Sequence, residues 1–408
     1  MRVTALLHTA PDVMETGHQT SLPSNRTLAS NAEALPIRVW VLVPFVETSD
    51  PNLAYYNDYS QSRAEYTRAF AALALEWVWQ PVTLDDHRAI IDAIAATDGV
   101  TPLVFNLCDG DETNGVPGLS VVRHLQLTGL CFTGADADFF DVTTSKIPMK
   151  RIFDAAGVPT APWLVLHLPT DPSMDGKASA ALANEAFARC GSPLIVKPAI
   201  SAGSMGLTVD SVVHTSAALR AQLAALRDGY RGWDLASGGV FVERFVRGAE
   251  YTTFIVGSSD APDACIVYPP VERVFNRALP ETERFLSFDR LWEIYERETP
   301  LEHGAYLWEY APVPDALGER IADVSWQAYA SLGGRGYGRV DLRLDAETDA
   351  LYVLEVNAQC GLSEDENYTS IGAILRFAHV PFADVVLAIM RDAMRTRTYA
   401  ADDLVNAS

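Results

Sequence analysis

The strongest constraint on the fold is an alternation that begins at residue 37. "IRVWVLVPF" (37–45) is a continuous apolar run of strand length and reads as a buried strand. A helical pattern near 60–77, the strand "WVWQPV", a helix near 85–96 and the strand "PLVFNL" (102–107) follow. Strands separated by helices pair in parallel, because each crossover returns the chain in the same direction. A helix near 117–127 and the strand "LCFTG" close this unit, which spans 36–137 as an N-terminal α/β domain.

Two further units follow, and the fold class is α/β (α+β) overall. Residues 138–240 hold a helix containing Lys146 and Lys150, the turn "AAGVPTAPW", a polar and alanine-rich helix near 177–190, the strand "PLIVKP", a glycine-containing loop and the strand "LTVDSV". The third unit, 241–408, begins in the strand "GVFVERF". It continues through "EYTTFIVG", a long polar segment at 271–305, a helix near 315–331, a hairpin and C-terminal helices. Residues 1–35 are weakly patterned and read as an extension with one short strand at "RVTALL".

Composition narrows the function. With 408 residues and 49% apolar content the chain can bury a sizeable core, and no run approaches a membrane span. The N-terminus has no charged segment followed by an apolar one, so a cytoplasmic location is expected. Five scattered cysteines without CxxC spacing suggest a reducing compartment and neither zinc nor disulfides. A net charge of -22 argues against nucleic acid, since no basic patch offsets phosphate repulsion over a wide surface. A nucleotide is different, because a small anion needs only a few local cations. Of 31 basic residues only four are lysines, Lys146, Lys150, Lys177 and Lys197, which suggests that lysine is kept where a compact point charge matters.

Three stretches carry chemistry. In "GYGRVDLRLDAETDALYVLEVNAQCGL" (336–362), two strands flank the polar turn "DAETDA" and should pair antiparallel. Period-two geometry places Arg339 with Asp341 on one face, and Glu355 with Asn357 on one face. If register brings those faces together, oxygen ligands converge as Mg²⁺ requires. Taken alone, the stretch is better read as the solvated outer face of an edge hairpin. Gly334, Gly336 and Gly338 before it read as a flexible approach. In "PLIVKPAISAGSMGL" (193–207), a strand delivers Lys197 to a small-residue loop whose amides can approach phosphate oxygens. In "VFVERFVRGAEYTTFIVG" (240–257), strand-end backbone suits an adenine edge and Glu250 suits ribose hydroxyls. Singly, Glu243 and Glu250 are better read as solvated or paired with Arg244 and Arg247.

The order of these pieces resembles the ATP-grasp superfamily, and within it the D-alanine–D-alanine ligase-like branch, over roughly residues 100 to 390. The resemblance implies a three-domain fold that holds nucleotide between two α+β domains. "SKIPMKRIFDAAGVPTAPW" is similar to the segment bearing the first ATP lysine, which falls on Lys146. "IVKPAISAGSMGL" resembles the second lysine and the loop over the phosphates, giving Lys197 and Ser204. "VERFVRGAEYT" is similar to the adenine and ribose segment, giving Glu243, Phe245, Val246 and Glu250. The hairpin resembles the family's metal site, with Asp341, Glu355 and Asn357 as ligands and with Arg339 and Gly361 holding the tetrahedral oxyanion. The implied cofactors are ATP and Mg²⁺ or Mn²⁺.

The substrate segments depart from the family. Its glycine- and serine-rich motif after the first strand becomes "VPFVETSDPNLAYYNDYS", and its histidine–glycine segment becomes "NLCDGDETNGVPG". Its proline–glycine–methionine becomes Cys360-Gly361-Leu362, followed by the acidic run Glu364, Asp365, Glu366. The reading is an ATP-dependent carboxylate–amine ligase that forms an amide through an acylphosphate on a substrate other than D-alanine. Two alternatives stay open: ligation of an amino acid to a secondary metabolite, and a nucleotide-binding module without turnover. The acidic run either borders the acceptor site or faces solvent, and any of Arg273, Arg277, Arg284 and Arg290 suits a substrate carboxylate. Expected partners are a small-molecule carboxylate and amine, and a second copy of the chain in a homodimer, with no nucleic acid and no membrane.

Overall fold

The computed structural model describes residues 35–48, 58–113, 115–166, 176–201, 203–229, 234–291, 298–302, 305–367 and 369–405. The chain divides into two compact units, 1–35 and 36–408, and all the described residues except Leu35 belong to the second. The strand expected at "RVTALL" therefore lies outside the described residues.

The first sheet is built from β1 (Ile37–Pro44), α1 (Ser60–Ala72), β2 (Glu76–Val82), α2 (His87–Ala95), β3 (Thr101–Asn106), α3 (Leu119–Thr128) and β4 (Cys131–Phe132). Its strands run in the order β2-β1-β3-β4, and all neighbours are parallel. The unbroken apolar run in β1 has a physical cause. Val39, Val41 and Val43 enter one core and Trp40 and Leu42 another, so both faces of the strand are covered.

Helices α4 (Ala137–Thr144) and α5 (Lys146–Ala156) lead into a second sheet. Asp136 caps α4 by accepting from the Phe139 amide. The second sheet contains β5 (Trp163–Leu166), β6 (Leu194–Pro198), β7 (Val212–Val213) and β8 (Val240–Arg244), with α6 (Gly176–Cys190) and α7 (Ser216–Asp228) packed on it. The order is antiparallel β5-β8-β6-β7, over a core that includes Leu194, Val196, Leu219, Leu223 and Val242. Two expectations are corrected here. The strand "LTVDSV" is mostly a 3-10 turn at Val209–Ser211, because the hydroxyls of Thr208 and Ser211 bond each other's backbone amides and leave only Val212–Val213 extended. The third unit was expected from residue 241, but Val240–Arg244 pairs with both β5 and β6, so the middle sheet extends to Arg244.

The third sheet runs β12-β11-β9-β13-β14, with β10 paired on β9. Its strands are β9 (Glu250–Val256), β10 (Ile266–Val267), β11 (Val271–Phe275), β12 (Trp308–Pro312), β13 (Tyr337–Leu344) and β14 (Leu351–Ala358). The segment expected as long and polar thus opens with a sheet strand, and its residues 292–297 and 303–304 lie outside the described residues. Helix α8 (Asp315–Ser331) precedes the hairpin, and α9 (Ser370–Ala378) and α10 (Phe382–Val405) follow it. First and third sheets share two cores: Tyr66, Phe70 and Phe105 pack with Phe254, Tyr337, Phe382 and Ile389, while Val104 and Phe139 pack with Tyr329 and Val340. The middle sheet keeps a core of its own. Among the described residues no single helix is long and apolar enough to cross a membrane, and all five cysteines are free.

Candidate active site

The hairpin of β13 and β14 sets the geometry. Arg339 stands opposite Asn357 and Asp341 opposite Glu355; the register then skips Leu354, so that Leu342 faces Val353. Such an irregularity twists the strand and re-aims the side chains beside it. Asn357 Nδ2 donates to Asp341 Oδ2 at 3.0 Å, and Arg339 grips the same carboxylate through Nε at 3.1 Å and Nη2 at 2.9 Å. Glu355 pairs with Lys146 at 3.2 Å. Burial opposes charge on Glu355, but Lys146, Lys197 and Arg339 outweigh it and hold the carboxyl below its ordinary value. The glycines expected as a flexible approach include a tight passage instead. Gly336 has φ of +74°, and a Cβ there would lie 2.2 Å from the Gly134 carbonyl oxygen.

The lysines come from two elements. Lys146, at the first turn of α5, donates to the Ser201 carbonyl at 3.0 Å besides pairing with Glu355. Lys197, on β6, pairs with Glu243 Oε1 at 2.6 Å. Lys150 completes the group. It is wholly buried, 2.5 Å from Glu243 Oε2 and 2.6 Å from the Thr160 hydroxyl. Burial alone would raise the Glu243 carboxyl, yet Lys150 and Lys197 bring it down to about 2. Sequence reasoning assigned Lys150 no role, although it lies four residues from Lys146 and therefore on the same face of one helix. The side chain of Lys177 lies outside the described residues. In the loop after Lys197, Gly203 and Ser204 both take left-handed backbone, with φ of +51° and +62°.

Glu243 and Glu250 are neither solvated nor paired with Arg244 or Arg247. Arg273 binds Glu250 Oε1, and Arg343 binds Oε2 through Nε at 3.2 Å and Nη2 at 3.0 Å. Although burial opposes it, these guanidiniums hold the Glu250 carboxyl below its ordinary value. Arg343 also donates to the Val246 carbonyl at 2.8 Å, and the rings of Phe245 and Phe285 meet edge to face at 5.9 Å. Of the four arginines considered for a substrate carboxylate, Arg273 lines the cleft. Arg290 is buried against Glu283, and Arg284 ties down the backbone of Leu279 and Arg277.

At the far side, the Gln359 carboxamide accepts from the Ala135 amide at 2.9 Å and donates to the Asn106 carbonyl, which fastens the turn after β14 to the first sheet. Burial pushes the neighbouring Cys360 thiol up to about 12, which disfavours the thiolate. The acidic run is divided. Arg68 pairs with Glu364 at 2.5 Å and Gln61 donates to Asp365 at 3.0 Å, so both are fastened to α1. Glu366 lines the cleft and pairs with Arg376 at 2.7 Å.

Every residue expected to meet nucleotide, metal or oxyanion lines this one cleft, of about 350 Å³. Two carboxylates and an amide oxygen are hard donors of the kind Mg²⁺ takes, and Asp341, Glu355 and Asn357 share one stretch of hairpin. Among the described residues no three His, Cys, Asp or Glu side chains cluster as metal ligands, so a site here would draw on the Asn357 amide beside the two carboxylates. The residues fit the ion.

Sheets closing on a cleft in this way define the ATP-grasp fold. Solved structures of D-alanine–D-alanine ligase from Bacillus anthracis, one of them complexed with ATP, superpose with TM-scores of 0.59 and 0.58. They are 18% identical and cover 90% of this chain and 100% of theirs. The family model for the D-ala D-ala ligase C-terminus matches residues 152–374, which include Lys197 and the hairpin but begin after Lys146 and Lys150. The D-alanine–D-alanine ligase of Albidiferax ferrireducens is 30% identical over 282 residues, 69% of each chain. That of Ralstonia pickettii is 29% identical over 270 residues, 66% of this chain and 69% of its own. This chain belongs to the D-alanine–D-alanine ligase family, and is an ATP-dependent ligase that forms a carbon–nitrogen bond.

Proposed function

We propose that this enzyme joins a carboxylate to an amine other than D-alanine, through an acylphosphate, with release of ADP and phosphate. The observation that carries the reading is the convergence of Lys146, Lys197, Arg339, Asp341 and Glu355 on one cleft from a helix and three strands. Phe245 and Val246 meet the adenine. Glu250, already gripped by Arg273 and Arg343, accepts a ribose hydroxyl on its remaining lone pairs. Lys146, Lys197 and the loop at Ser204 neutralise and cover the phosphates. Asp341, Glu355 and Asn357 would hold Mg²⁺ or Mn²⁺, which when bound screens phosphate charge and polarises the γ-phosphoryl group.

A substrate carboxylate oxygen attacks the γ-phosphorus and the bond to ADP breaks. The amine then attacks the acyl carbon, phosphate departs, and the nitrogen gives up a proton. Arg339 holds Asp341 through Nε and Nη2, which leaves Nη1 for the developing oxyanion beside the Gly361 amide. A well-placed donor of this kind contributes about 3–4 kcal/mol.

A D-alanine acceptor would bring its own carboxylate into the cleft. Glu366 lines the cleft five residues past Gly361, and Asp109 lies close enough to Cys360 to help raise its thiol. Arg376 already balances Glu366, so it is chiefly Asp109 that favours a cationic amine and opposes a free acceptor carboxylate. An ADP-release screen over carboxylate and amine pairs, with mass spectrometry of the products, tests the reading. Turnover on other pairs with D-alanine inert is expected. Brisk D-alanyl-D-alanine formation would overturn the substrate assignment, and nucleotide binding without ADP release on any pair would overturn ligation itself.

A further inference from the structure

Among the described residues, Lys150 is the one lysine of the site that does not line the cleft. It is wholly buried and lies behind the cleft wall, which Lys146, Lys197 and Glu243 line without it. Its ammonium is 2.5 Å from Glu243 Oε2, while Lys197 is 2.6 Å from Oε1. It also donates to Thr160 at 2.6 Å, whose hydroxyl donates in turn to the Val353 carbonyl on β14 at 3.3 Å.

Two ammoniums on one buried carboxylate leave the cluster with a surplus positive charge. One lysine would satisfy Glu243, and a second buried cation is costly unless an anion arrives to balance it. The surplus matters when Lys197 turns its protons toward a phosphate. With Lys150 in place, Glu243 keeps a counter-ion. Without it, Lys197 would be the sole partner of a buried carboxylate, and engaging a phosphate would strand that charge.

We propose that Lys150 is a positioning residue: it serves as the standing counter-ion of Glu243 and so frees Lys197 for the nucleotide phosphates. The inference rests on the proposed role of Lys197. The sign of the effect depends on the charge of Glu243, which distinguishes it from a packing role.

Calorimetric titration with a non-hydrolysable ATP analogue and Mg²⁺ tests it, alongside thermal melts without nucleotide. Lys150→Met should weaken binding by about tenfold or more, and Lys150→Arg should retain most of it. Adding Glu243→Gln to Lys150→Met removes the carboxylate that would hold Lys197 back, and the double variant should bind more tightly than Lys150→Met alone, whatever Glu243 itself contributes to the adenine segment. Native affinity in Lys150→Met, or a double variant as weak as the single one, would overturn the proposal. If Lys150→Met does not fold, Glu243→Gln and the double variant carry the test, since they should bind alike. A Lys197→Ala variant separates the two readings. Native affinity there would sink the phosphate role of Lys197 and the inference with it, whereas its loss with an intact Lys150→Met sinks the inference alone.

Discussion

Asp341 accepts from two partners, Arg339 and Asn357, and stands opposite Glu355 across the hairpin. Its backbone belongs to a strand ladder that also pairs with β9, so changing the side chain leaves the hairpin its framework. Asp341→Asn should therefore fold, yet lose roughly a hundredfold or more in turnover, because it removes charge from the metal donors and the anchor of Arg339. ADP release near the native rate, with native Mn²⁺ affinity, would refute the metal role. That Arg339 shares a face with Asp341, and Glu355 with Asn357, was legible from the period-two pattern of one short stretch, whereas the metal role came only from the family resemblance. Lys150 was not legible. Its partner Glu243 is remote in the chain, and no local periodicity records which strand end will lie beneath a given helix.

Among the elements, the β-α-β alternation, α8 and the two strands of the hairpin could be read directly, since each carries a continuous pattern with a clear period. Membership of a sheet could not. Val240–Arg244 has the same apolar character whichever sheet receives it, and only packing against β5 and β6 decides. The 3-10 turn at Val209–Ser211 was hidden for a different reason: two hydroxyls within an apolar strand-like run captured the backbone. The approach to β13 offers a test. Gly336→Ala should cost about 2 kcal/mol or more, from left-handed backbone and a clash with the Gly134 carbonyl. Gly99→Ala has a similar φ of +77° but open space around it, and should cost about 1 kcal/mol. Urea denaturation of the two variants checks the difference, and equal midpoints would mean that the passage can relax.

At the scale of the molecule, length left room for several domains and the net charge of -22 argued against nucleic acid without excluding a nucleotide, but the way the sheets share cores could not be read from the sequence. Phe382, Val385, Val386, Ile389 and Met390 of α10 are buried with Tyr66, Phe70 and Phe105 of the first sheet and its helix. Burying five such side chains contributes on the order of 10 kcal/mol, comparable to the whole stability of a domain. A chain ending at residue 381 should therefore bind a hydrophobic dye and precipitate, and a soluble, nucleotide-binding product would contradict this. The same arrangement governs how the protein is born. A ribosome makes the first sheet well before the helix that seals it, so the nascent chain carries an open apolar face during the interval. The middle sheet, with its own core, can close while translation continues. The first sheet has to wait for α10, and chaperone occupancy during synthesis should concentrate there.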